Sequence, residues 1–176
     1  TLTVGTGGES TTNTVVGYQA LSSVTSAGFY NTAVGYQSLN ANTIGKNNTA
    51  VGYQALMSNI GGLRNTAIGY DSLQDNIEGD SNIALGYRPL NANTTGNNNI
   101  AMGYQALYKN IGGYRNIAIG YHSLHENTIG NQNIALGFTS LFENTTGDRN
   151  IALGDSALYE NTTGENNVAL GTDALR

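Results

Sequence analysis

The chain of 176 residues contains no cysteine, no tryptophan and one proline, Pro89. Zero cysteine excludes disulfides and Cys-ligated metals. Charged residues make up 11%, against about 25% in an average soluble domain. The net charge is −5 with no basic run, so the clustered Lys and Arg that neutralise phosphates are missing and nucleic-acid binding is not expected. No stretch approaches the ~18 consecutive apolar residues of a membrane-spanning helix, so no direct membrane insertion is expected. There is no initiator Met, basic n-region or apolar h-region at TLTVGTGGES, and the last residues, TDALR, fall inside a repeat. These ends suggest a piece of a longer protein, with any export signal lying outside it.

Glycine, by contrast, is abundant, with 24 residues. At that level without proline it points to many tight turns rather than a disordered linker. The glycines have a period. Gly17, Gly35, Gly52, Gly69, Gly86, Gly103, Gly120, Gly137, Gly154 and Gly171 are separated by one step of 18 and then by steps of 17. The unit reads N-[T/I]-A-φ-G-Y-x-[A/S]-L-x-x-N-[T/I]-x-G-x-x, φ being aliphatic or Met, and copies start at Asn13, Asn31, Asn48 and onward to Asn167. A longer period lies on top: NIGGLR (59–64) matches NIGGYR (110–115), three units later.

A unit of 17 residues is too short to fold alone, but stacked units cover one another's apolar faces. Two helices do not fit; one solenoid coil does. The expected fold is all-β: a parallel β-solenoid, or β-roll, of about ten coils over residues 13–176, with 1–12 an irregular cap or partial coil. At about 4.8 Å per coil the rod would be roughly 48 Å long.

Each fixed position has a reading. Position 2 is β-branched throughout, from Thr14 to Val168, and position 4 is aliphatic or Met, so N-T-A-V reads as a strand. Alternation sets positions 2 and 4 on one face and Ala on the other. Gly at position 5 permits a sharp corner or close backbone approach. Tyr at position 6 and Leu at position 9 have the spacing of one helical turn, YQAL; a second short strand is the competing reading. Asn at positions 1 and 12 suits corners, where stacking would give amide ladders. With about three large apolar side chains per coil the core is thin. The small Ala face would admit another layer, and a homo-oligomer is expected.

These residues resemble the head repeats of trimeric autotransporter adhesins, whose A-[I/V]-G motif matches A-V-G at 50–52 and A-I-G at 67–69. They look still more like the NTAVGYQAL-type repeats of bacterial surface fibres and phage tail-fibre-like proteins. The resemblance covers the chain after Asn13. The coil here is longer than the autotransporter one, with Tyr at position 6 and Leu at position 9. The resemblance implies a left-handed, trimeric β-roll and a non-enzymatic fibre or adhesin segment, on a bacterial cell surface or a virion, that attaches to a host or cell-surface receptor.

Any chemistry must come from departures from the repeat, because catalysis needs a unique constellation of groups. His122 and His125, the only histidines, form an H-x-x-H pair that with Glu126 has metal-ligand types; both read better as variable surface residues. No Asp falls in the nonapeptide of calcium-binding rolls. No cofactor, metal or catalytic residue is expected. Four N-x-[S/T] sites, at Asn47, Asn93, Asn144 and Asn161, are explained by turn chemistry. Position 10 carries aromatics in some coils, and late in the chain it is followed by acids. The candidate ligand-binding residues are therefore Tyr108, His125, Glu126, Phe142, Glu143, Tyr159 and Glu160, with a glycan as ligand, bound by stacking and hydrogen bonding; the competing reading is that the aromatics pack on the next coil. An alternative is an ice-binding solenoid, from the Thr32/Thr49/Thr66 column, although its change to Ile83/Ile100/Ile117 suggests an enclosed face.

Overall fold

The computed structural model describes residues 12–176, so the expected cap at 1–12 lies almost wholly outside the described residues. Ten strands of three residues follow one another: β1 (Thr14–Val16), β2 (Thr32–Val34), β3 (Thr49–Val51), β4 (Thr66–Ile68), β5 (Ile83–Leu85), β6 (Ile100–Met102), β7 (Ile117–Ile119), β8 (Ile134–Leu136), β9 (Ile151–Leu153) and β10 (Val168–Leu170). All pair in parallel, in sequence order, in a single sheet. The register is one unit per rung, so that Thr49 faces Thr66, Ala50 faces Ala67 and Val51 faces Ile68. The chain is the expected β-solenoid. Among the described residues no helix is long and apolar enough to cross a membrane.

The helical turn over YQAL does not form, nor is there a second strand in the described coils. The reason is local. Gln54 and Leu56 have φ of 51° and 52°, the left-handed region that a right-handed helix cannot contain. Their N–H groups bond along the axis instead, Gln54 to the Tyr36 carbonyl at 2.9 Å and Leu56 to the Ser72 carbonyl at 3.0 Å. Left-handed Leu costs about 1–2 kcal/mol. Burying its side chain contributes about 1.5–3 kcal/mol, and Leu39 to Leu141 are fully buried.

The sheet is turned the opposite way to the expectation from Ala. Ala50, Ala67 and their equivalents point inward and are fully buried. They meet the chain's own opposite wall, not a second molecule. The interior is narrow: one Leu, two Asn and the small residue of position 8, usually Ala or Ser, fill the rest of each coil. Both Asn positions form ladders inside this core, as the corner reading required. At position 1, Asn48 donates to the Gly62 carbonyl at 2.8 Å, and its Oδ1 accepts the Asn65 N–H at 2.9 Å. At position 12, Asn76 Nδ2 donates to Asn59 Oδ1 at 2.8 Å and to the Gly79 carbonyl at 3.0 Å. Fully buried amides persist because every rung satisfies the next.

Gly at position 5 is obligatory for two reasons. Gly52 has φ of 142°, and a Cβ there would lie 2.2 Å from the Gly69 carbonyl oxygen of the next coil. What the narrow interior excludes is left outside. Positions 2 and 4 form an outward face of Thr, Val, Ile, Leu and Met, in which Ile68 is 43% and Ile119 40% exposed. The change from Thr to Ile at position 2 therefore takes place on the outer face, not on an enclosed one.

Candidate functional site

Strict register turns each variable position into a column. Column 10 begins with Ser22 and three amides interrupted by Met57: Asn40 donates to Ser22 Oγ at 2.8 Å, and Asn91 donates to Gln74 Oε1 at 3.1 Å. From coil 6 it becomes a stack of flat rings. Tyr108, His125, Phe142 and Tyr159 lie with successive centroids 5.2, 5.1 and 5.1 Å apart and planes within 14° of parallel. Four of the seven candidate residues are thus brought together in one column.

Glu126 joins them. Its Oε1 meets His125 Nδ1 at 2.7 Å and its Oε2 meets Lys109 Nζ at 2.5 Å. Burial alone would raise its carboxyl, but these two partners hold it below the usual value. Glu143 and Glu160 take the same place on the next two coils; neither has an ion-pair partner among the described residues. Glu160 also lines an open depression on the last coil, with Leu158, Asn161 and Arg176.

The geometry limits what this column can do. Sugars stack on ring faces, and each inner face here is covered by its neighbour. The outer face of Tyr159 carries the Arg176 guanidinium at 5.4 Å. The rings present edges, and a sugar reaching Phe142 would meet C–H edges beside Glu143.

His122, which the sequence reading left on the surface, belongs to the cluster. Its ring lies 4.8 Å from His125, 4.1 Å from Tyr121 and 5.9 Å from Phe142, and its Nε2 meets Gln105 Oε1 at 2.8 Å. Burial pushes both imidazoles below their ordinary pKa; His125 adds repulsion at His122, while Glu126 works the other way at His125 without reversing the shift. Among the described residues no three His, Cys, Asp or Glu stand together in a way that could hold a metal ion.

Two further features were missed. Asp71 is buried, its Oδ2 pairs with Arg88 Nε at 3.2 Å, and its Oδ1 has no partner. Burial raises its pKa against the pull of Arg88, and burial together with Asp71 raises that of Asp75. The only signal in the sequence was an Asp followed one coil later by Arg88 in column 7, after three coils of Gln. The other feature is column 6. Tyr18, Tyr36, Tyr53, Tyr70, Tyr87, Tyr104, Tyr121 and Phe138 make one unbroken stack with centroids 4.9–5.7 Å apart. The four N-x-[S/T] asparagines also separate. Asn93 and Asn144 are fully buried rungs and Asn161 is the half-buried end of that ladder, whereas Asn47 is exposed. Comparison with known proteins finds no matching family model, no matching curated protein and no matching solved structure.

Proposed function

We propose that this chain is a non-enzymatic segment of an extracellular fibre, assembled as a homotrimer, that serves attachment on a bacterial cell surface or a virion. The observation that carries the reading is the outward face of the sheet. One apolar column, position 4, runs the length of ten strands, and position 2 joins it as Ile or Val from Ile83 onward after four Thr, with Ile68 and Ile119 about two-fifths exposed. A continuous apolar stripe of this length marks an interaction surface. Three copies side by side would cover it, each coil meeting its own equivalent. The rigid, evenly spaced backbone suits reach, and its repeating groups offer no unique catalytic constellation.

Light scattering on the purified chain tests this. A mass of three chains at micromolar concentration is expected. Ile117→Lys with Ile134→Lys, both on the outward face, should convert it to a folded monomer. A parent chain that is a stable monomer at high concentration would remove the trimer.

A further inference from the structure

The tyrosine comb is not accounted for by the fold, which needs only Gly and Leu at that corner. Its inner rings repeat every 4.9–5.2 Å with planes within 11° of parallel, from Tyr36 to Phe138. Tyr36 to Tyr121 are each between 40% and 44% exposed. No phenol oxygen from Tyr18 to Tyr121 has a hydrogen-bond partner among the described residues. Beside the comb runs the bare position-5 glycine strip, partly exposed and unable to carry a side chain. The comb holds no charge until Asp155 replaces the ring in coil 9. Arg88 lies beside Tyr87, 5.9 Å from its ring centre, and is paired with Asp71.

A row of unpartnered hydroxyls at constant spacing is complementary to a polar polymer with the same repeat. An extended peptide advances about 3.3 Å per residue, hence about 6.6 Å between side chains on one face. A polyproline helix advances about 3.1 Å. Neither keeps step with the comb. A nucleic acid brings phosphates to a chain of net charge −5 and a comb without cations. An extended β-1,4-linked glycan of neutral sugars is uncharged and flat, and it advances by close to one coil rise per sugar.

We propose that the tyrosine comb binds an extended, neutral β-1,4-linked polysaccharide lying along the rod, one sugar per coil. Phenol hydroxyls hydrogen-bond the sugar hydroxyls, the electropositive ring edges face sugar oxygens, and the glycine strip receives the flat C–H surface. This is a different column from that of Tyr108 and Phe142, and the two meet through His122. The proposal does not depend on association: a monomeric chain by light scattering leaves it standing.

Calorimetric titration of the full chain with β-1,4-linked glucose and N-acetylglucosamine oligomers tests it. Affinity for at least one of the two series should rise at least about tenfold from disaccharide to hexasaccharide, each added sugar gaining a rung. An α-1,4-linked glucose hexamer, which curls away from a straight row, should bind at least about tenfold more weakly. Tyr53→Phe, Tyr70→Phe and Tyr87→Phe together keep the rings stacked and remove three hydroxyls. With three hydrogen bonds to the glycan removed, the triple variant should lose at least about tenfold in affinity with its melting temperature unchanged. Absence of binding by both β-linked hexamers, equal binding of the α-linked one, no dependence on length, or a triple variant that binds like its parent overturns the assignment.

Discussion

Coils 2–5 and coils 6–9 share one backbone but carry different columns. In the first group position 2 is mostly Thr, column 10 is Asn40, Met57, Gln74 and Asn91, and column 7 runs from the Gln37–Gln54 amide pair to the Asp71–Arg88 ion pair. In the second, position 2 is Ile and column 10 is a ring stack joined by His122. The register does not change between them. What the backbone requires of an outer column is only that each side chain tolerate its neighbour one coil away; amides, rings and ion pairs all do. The inner columns have no such freedom.

The largest expected effects test that inner equivalence. A Cβ on Gly69 would fall within van der Waals overlap of the Gly86 carbonyl, 1.8 Å away, and one on Gly120 would be 2.3 Å from the Gly137 carbonyl. Gly69→Ala and Gly120→Ala should each cost at least about 4 kcal/mol, read by denaturant unfolding. One half surviving its substitution would break the comparison. Next, Asn76→Ala and Asn127→Ala each strand ladder partners in the core. Each should cost about 2–3 kcal/mol, equally in both halves.

The outer columns should then diverge. Phe142→Ala removes a ring stacked on both sides and should cost about 2 kcal/mol. Asn91→Ala loses its bonds to Gln74 and the Asp71 carbonyl and should cost about 1 kcal/mol. Equal losses would show that stacking adds nothing over amide pairing.

The smallest effect has opposite signs in the two halves. The folded pKa values of His122 and His125 lie below 6.5. The unfolded chain takes up protons first, so coils 7 and 8 lose stability as pH falls below about 6.5. Glu126, held below its ordinary value of 4.5, adds a further loss as pH falls through its folded pKa. Asp71 and Asp75 are raised above 3.8, so their burial costs stability at neutral pH and the cost is relieved as pH falls toward 3.8. Hydrogen exchange compared at pH 7 and pH 5, corrected for intrinsic rates, should show coil 7 amides losing protection and coil 4 amides holding or gaining it. Parallel losses in both would contradict the assignment.

The sequence made legible whatever every coil repeats. The period, the parallel strands, the corner glycines, the buried Leu and the two Asn ladders could all be read from Asn48, Ala50, Gly52, Leu56 and Asn59. It did not reveal which way Ala50 points, because alternation defines two faces without saying which is inside; the narrowness of the coil decides that. Left-handed Leu56 was also hidden, since nothing about Leu announces that conformation. In the candidate site, register alone predicted that Tyr108, His125, Phe142 and Tyr159 would align. That His122 joins them depends on columns 7 and 10 sharing a corner, and the covered ring faces follow from the stacking distance, which composition cannot supply.

The bonds that tie each coil to the next, such as Thr49 N–H to the Asn65 carbonyl at 2.8 Å, all run along the rod. Tension applied between the ends of such a rod loads these rungs in series and not side by side. Coils should therefore peel away one at a time from an end, each releasing about 60 Å of chain at ~3.5 Å per residue. The same uniform register that repeats each coil should let the rod lengthen under load in equal steps while the coils still stacked keep their shape.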